Sequence, residues 1–392
     1  MAVLRLRQGR ECLSGEACLP GPLSGVRVLE LEASGPVPFC AMFLADMGAR
    51  VLRIERPAGW DAAPNALGLS PRDDVLLRNR RRLALDLKTE GGRRIARRLA
   101  QRSDVLLEGF RPGTAERLGI GPGDLLPLNP RLIYARVTGW GQDGPMATRA
   151  GHDINFLAAT GALAALGRPG EPPAPPLNMV ADFGGGGMLA AFGVAAALYE
   201  TRASGRGQVL DVAMVDGVTS LLSSLMSFRA AGAWERERGT NLLDGGAPWY
   251  DCYATADGRY LALGCVEPRF FAGMLDFLGL DEAFAHSQFD RAAWPRLRDA
   301  IARRVAEHDQ AAWAGRLAEV DLCITPVLDL AEAVEHPGLR ARGTHAVVGG
   351  RLQPGPAPRF SRTPGCIRSG AGVDDEEGMD DVLAWWGVPL QD

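Results

Sequence analysis

Two short stretches of this 392-residue chain set an ionisable side chain where a helix would begin. One, AGHDINF (150–156), opens a helical pattern that runs toward Leu163. The other, ADF (181–183), precedes four glycines (184–187) and then a mostly apolar helix over residues 188–200. A helix start presents unpaired backbone N–H groups and the positive end of the helix dipole. Such a place suits a developing negative oxygen, an enolate for instance, and neighbouring glycines let a ligand approach the backbone. His152 and Asp182 are therefore the ionisable groups to weigh, together with Glu267 in VEP (266–268). Each also has an ordinary reading. His152 suits a core or capping histidine, Asp182 a helix cap, the glycine run a tight turn against a neighbouring helix, and Glu267 a surface carboxylate beside a proline. Taken singly, none supports a mechanism.

The segments around them alternate two periods. Residues 26–31 (VRVLEL), 50–54 (RVLRI), 83–87 (LALDL), 104–107, 132–137 and 208–215 read as short strands, with helical patterns at 39–47 and 93–102. Strands separated by helices imply βαβ units and a mostly parallel sheet, an α/β fold. Beyond a glycine-rich stretch at 244–248, residues 259–264, 270–278 and 299–307 suggest a smaller α/β domain, and PGPAP (354–358) introduces a C-terminal tail. The turn after the first strand, EASGPVP (32–38), lacks the GxGxxG of a dinucleotide site. Gly119, Gly121 and Gly123 read as a turn.

Composition narrows the classes. Lys and Arg total 43 against 47 Asp and Glu, a formal net charge of −4, so no nucleic-acid partner is expected. Basic residues concentrate locally, in RNRRR (78–82). Seven scattered cysteines form no CxxC pair, which favours free thiols, a reduced cytoplasmic setting and no metal site. No apolar run was expected to reach the ~18 residues of a membrane span, so no membrane partner is expected. Residues 1–20 read as a flexible extension without the unbroken apolar region of a signal peptide.

The segments GHDINF (151–156), ADFGGGG (181–187), RGTNLLDGGAPWYD (238–251) and VEPRFF (266–271) together resemble the α-methylacyl-CoA racemases, of the family III CoA-transferase superfamily. Further matches run from PLSGVRVLELE (22–32) through SDVLLEGFRPG (103–113), NPRLIYARVTGWGQDGP (129–145) and SGRGQVLDVAMVDG (204–217) to PAPRFSRTP (356–364). The resemblance implies epimerisation of 2-methylacyl-CoA thioesters by α-proton removal and return through an enolate. His152 and Asp182 would stand on opposite faces of the α-carbon, Glu267 would pair with His152, and the backbone N–H of Asp153 would hold the enolate oxygen. CoA enters as part of the substrate, with no tightly bound cofactor. Arg56, the backbone of Ala84, Leu85, Asp86 and Leu87, and that of Glu108, Gly109 and Phe110 match CoA-contact segments. Arg80, Arg81, Lys88 and Arg111 are candidate phosphate partners.

The resemblance further implies an interlocked homodimer with the active site shared between chains. Its large Rossmann-like domain would span 21–225, its small α/β domain 226–334, and residues 335–392 would return to the large domain. Ser34 and Val37 depart from the racemase pattern in a loop that borders the pocket, which bears on the acyl group accepted. Residues 60–78 form a longer segment than usual. Two alternatives stay open: a family III CoA-transferase with Asp182 as nucleophile, and a non-catalytic acyl-CoA-binding subunit.

Overall fold

The computed structural model describes residues 20–57, 68–235, 237–370 and 378–389. The expected extension lies outside these residues except for Pro20, as does the 60–67 part of the longer segment. Among the described residues the chain divides into two compact units. One takes the chain up to Thr160, Leu177–Leu221 and the residues from His336 on; the other takes Gly161–Pro176 and Leu222–Glu335. Residues 161–176 thus cluster with the second unit, where the sequence reading ran the large domain unbroken to 225.

The first unit begins with β1 (Arg27–Leu31), α1 (Pro36–Asp46), β2 (Arg50–Glu55), β3 (Arg80–Ala84), α2 (Glu90–Gln101), β4 (Val105–Glu108), the single-turn helices α3 (Thr114–Arg117) and α4 (Pro122–Leu125), and β5 (Ile133–Thr138). It continues with α5 (Asp153–Thr160), a π-helix (Met179–Met188) that runs straight into α6 (Leu189–Ser204), β6 (Val209–Ala213) and α7 (Met214–Leu221). The second unit holds α8 (Ser223–Ala230), β7 (Tyr250–Ala254), β8 (Tyr260–Gly264), α9 (Pro268–Leu278), α10 (Trp294–Val305), α11 (Gln310–Leu317), β9 (Ile324–Pro326) and α12 (Leu330–Glu335). The chain then adds α13 (Pro337–Arg342), β10 (His345–Val348), β11 (Arg351–Pro354) and α14 (Met379–Trp386) to the first unit.

Six parallel strands make one sheet in the order β3-β2-β1-β4-β5-β6. Alternate side chains of a strand point to opposite faces, and both faces here are covered. Val28, Val51, Val105, Ile133 and Ala135 pack with Ala41 and Leu44 of α1 and with Val194 and Ala197 of α6. Leu29, Leu52, Leu106 and Tyr134 pack on the other side with Leu99 of α2 and with Leu383 and Trp386 of α14. The Trp386 indole N–H donates to the Leu99 carbonyl at 3.0 Å, so the end of the chain is fastened into this face.

The edge strand β3 lies three residues earlier than the apolar pattern placed it. Its arginines are counter-charged inside the fold. Arg80 pairs with the fully buried Glu30, Arg82 with Glu55, and Arg53 with both glutamates. Arg78, just before the strand, binds Asp46 at 2.6 Å and donates to the Pro354 carbonyl of β11 at 2.7 Å. A strand whose charges are neutralised by tertiary partners shows no period-two apolar signal.

Two compositional expectations fail. Met179–Ser204 forms one helical run of 26 residues, long and apolar enough to cross a membrane by length and composition. Its inner stripe, Ala190, Val194 and Ala197, belongs to the sheet core, while Phe192 and Tyr199 stand outward. Cys40, Cys252, Cys265 and Cys323 are free thiols, but Cys366 is disulfide-bonded. Disulfide pairing depends on Cα proximity, which cysteine spacing does not report.

The second unit is built on an antiparallel sheet in the order β7-β8-β9. One face packs Tyr253, Leu261 and Ile324 against Phe271, Leu275, Leu297 and Trp313 of α9, α10 and α11.

Candidate active site at the carboxyl edge of the sheet

Parallel sheets bind ligands outside the carboxyl ends of their strands, where the strand order reverses. Here that point lies between β1 and β4. The loops leaving these strands meet. A Cβ on Gly109 would stand 3.0 Å from Val37 and 3.1 Å from Ala33. Val37 is buried in the sheet core, so it acts by packing rather than by lining a pocket, while Ser34 stays exposed.

Gly35 starts α1 with φ +66, a conformation that only glycine adopts without strain. A Cβ there would lie 3.1 Å from Oδ2 of Asp182. The start of α1 therefore abuts that carboxylate, which the π-helix carries in its first turn. The glycines after Asp182 serve packing. Added Cβ atoms would come within 3.0 Å of Val218 N at Gly185, 2.9 Å of Met214 and Pro36 at Gly186, and 2.6 Å of Phe39 at Gly187. Gly185, Gly186 and Gly187 are buried between α1 and α7, so the expected close approach is to helices, not to a ligand. Phe183 stacks on Phe39 at 4.3 Å and closes the same seam.

His152 stands at the start of α5 with its side chain exposed. Its N–H donates to Oδ1 of Asn155 at 2.9 Å, and its carbonyl accepts from Asn155 N at 2.8 Å, a reciprocal cap. The helix is anchored by Phe156, which fills the space that side chains at Gly139 and Gly151 would occupy and meets Trp140 edge-on. Asp153 is buried; its Oδ2 accepts from both Ala181 N and Asp182 N at 2.8 Å. The Asp153 N–H makes no hydrogen bond among the described residues, as the first N–H of a helix.

The half-buried Asp182 carboxyl is pushed up to about 6. Burial is the main cause and the neighbouring Asp153 carboxylate adds to it, while the Asn178 amide and His152 pull the other way. A carboxyl poised there exchanges its proton near neutrality, as general acid/base work requires.

The candidate CoA segments also gather at this edge. Arg56 follows β2 and forks onto Glu32 at 2.8 Å, with its side chain largely exposed. Ala84 ends β3 and Leu85, Asp86, Leu87 and Lys88 follow it; Leu85 is buried, Leu87 partly so, and Ala84, Asp86 and Lys88 face outward. Gly109 and Arg111, beyond β4, are exposed. Three candidates are already occupied. The Glu108 carboxylate turns inward to Arg136 at 2.8 Å and accepts the Phe110 N–H at 2.6 Å, which removes that N–H as a ligand donor. Arg80 is committed to Glu30, and Arg81 lies 4.4 Å over the Trp385 ring. Lys88 and Arg111 remain as exposed cations.

Glu267 belongs to the second unit, at the exposed N-cap position of α9. It follows β8, whose open face forms one wall of a cleft of about 730 Å³ that includes Cys252, Ala262, Gly264 and Thr325. No group of three or more His, Cys, Asp or Glu that could hold a metal gathers among the described residues. The sequence reading missed Gly35, Asn155 and the Asp153 side chain. Gly35 followed by Pro36 was a legible helix start; the other two act through tertiary contacts that no local pattern announces.

The chain matches the model of CoA-transferase family III over residues 23–372. It is 47% identical over 343 residues to the alpha-methylacyl-CoA racemase of Mus musculus, 87% of either chain. It is 44% identical over 345 residues to the alpha-methylacyl-CoA racemase of Homo sapiens, again 87% of either chain. Among solved structures, a CAIB/BAIF family protein from Brucella suis superposes with TM-score 0.81 at 25% identity, over 94% of this chain and 100% of that one. A six-stranded parallel sheet, a match along almost the whole chain and these relatives agree: the chain belongs to CoA-transferase family III.

Proposed function

We propose that this protein is an α-methylacyl-CoA racemase, which inverts the carbon beside a thioester carbonyl. The observation that carries the reading is the bond from Asp182 N–H to the side chain of Asp153, the residue next to His152 at the start of α5, with the Asp182 carboxyl raised to about 6. Inversion needs a base on one face of the carbon and an acid on the other. His152 takes the α-proton of one epimer, the Asp153 N–H at the start of α5 holds the oxygen as it gains charge, and Asp182 returns a proton to the opposite face. The other epimer reverses these roles. Arg56, Lys88 and Arg111, with the backbone at Ala84, Leu85, Asp86, Leu87, Glu108 and Gly109 and the Phe110 carbonyl, hold the CoA portion of the substrate.

Glu267 acts from the partner chain of a homodimer, orienting the His152 imidazole and balancing its charge. The outward Phe192 and Tyr199, seven positions apart on α6, give that helix an apolar outer side that association would cover. A family built on CoA transfer supports a second reading, in which Asp182 attacks the acyl carbonyl; that step gives no task to His152.

One experiment separates them. The protein is incubated with a single epimer of a 2-methylacyl-CoA in D₂O, with and without a carboxylate acceptor. Racemisation with deuterium at the α-carbon and no need of acceptor is expected, and His152→Ala or Asp182→Ala should each lower the rate by about 100-fold or more. CoA transfer without α-exchange would overturn the reading.

A further inference from the structure

The first turn of a π-helix leaves its leading N–H groups without partners inside the helix. Two of them, on Ala181 and Asp182, are taken by Oδ2 of Asp153, a residue of another helix nearly thirty positions away in sequence. Asp153 is buried, its Oδ1 has no hydrogen-bond partner, and no cation pairs with it among the described residues. A cap alone does not need this charge, since Asn or Ser caps as well as Asp, and a buried carboxylate without a cation is costly.

We propose that the Asp153 carboxylate is the positioning residue for Asp182, seating its backbone and setting a second negative charge beside the acid that must carry a proton. The proposal rests on the acid/base reading of Asp182 and assigns Asp153 a side-chain task separate from its N–H. The like charge works with burial in holding the Asp182 proton, against His152 and Asn178. The other helices packed on this turn bring no opposing charge. From α1 come Gly35, Pro36 and Phe39, and from α7 Met214 and Val218, none ionisable. Asp216 of α7 and the groups of α6, β5 and β6 do not figure among the charges acting on Asp182.

Asp153→Asn keeps an oxygen for both N–H groups and removes the charge; Asp153→Ala removes both. The Ala variant should lose about 100-fold in kcat through misplacement of Asp182, and the Asn variant should recover most of that loss. In Asp153→Asn the limb of the kcat/KM profile that reports Asp182 should move to lower pH by about one unit. A ¹³Cγ-aspartate NMR titration, with Asp182→Asn identifying the signal, should show the same shift in the Asp182 carboxyl. An Asn variant with the wild-type limb and the wild-type titration would reduce Asp153 to a structural cap and overturn the proposal. Equal loss in both variants, with both melting as the parent does, would overturn it as well. The titration separates this outcome from failure of the racemase reading, which would appear as absent α-exchange in the unaltered protein while the Asp182 signal still responds to Asp153→Asn.

Discussion

Asp182 ties catalysis to stability through one proton. Its carboxyl releases that proton near pH 6 in the folded protein, against 3.8 for an unperturbed aspartate, so the folded state binds it more tightly than the unfolded chain. The stability linked to it is fully present below about pH 3.8 and is lost as the pH rises through about 6. Asp182→Asn, whose amide cannot ionise, should therefore melt above the parent at pH 8, and the gap should close toward pH 4. A gap of constant size in differential scanning calorimetry would count against the linkage. Gly35 meets the same carboxylate from α1. Gly35→Ala places a methyl 3.1 Å from Oδ2 at φ +66, and a displaced acid should cost about 10-fold or more in kcat, read by steady-state racemisation.

At the scale of elements, the π-helix works because side chains are missing from it. Gly186 and Gly187 let α1 and α7 close on the turn that bears Asp182. Gly186→Val should destabilise by about 1–3 kcal/mol, since the Pro36 ring beside it cannot yield without moving α1; urea unfolding measures this. The edge strand is held by charge instead. Glu30→Ala would leave Arg53 and Arg80 facing each other in the interior, and the loss should be about 3–5 kcal/mol. An unchanged urea midpoint would mean that water replaces the glutamate.

For the whole molecule, the proposed sharing of sites between chains has a direct consequence. Neither His152→Ala nor Glu267→Ala should support racemisation alone. A heterodimer of the two variants would contain one intact site, with His152 and Asp182 from one chain and Glu267 from the other. Co-expression in equal amounts should restore about a quarter of the parental activity, because half the dimers are mixed and each has one site of two. A co-expressed mixture as inactive as its components would place Glu267 in the same chain's site or in none.

The alternation of short apolar runs with helical periods already specified a parallel α/β sheet, because both sheet faces are covered and the strands other than β3 are largely apolar on both sides. His152, Asp182 and Glu267 were singled out by the resemblance of the segments that carry them, since their local patterns suit a cap, a turn or a surface carboxylate equally well. Tertiary structure decided the rest. It drew the edge strand from a run of arginines, since only the fold supplies Glu30, Glu55 and Asp46 as their partners. It turned Glu108 away from the ligand edge and toward Arg136. It also made the Asp153 side chain a cap for a helix that begins far along the chain. Contacts between residues distant in sequence have no period to read, and the environment of Asp182 consists of such contacts.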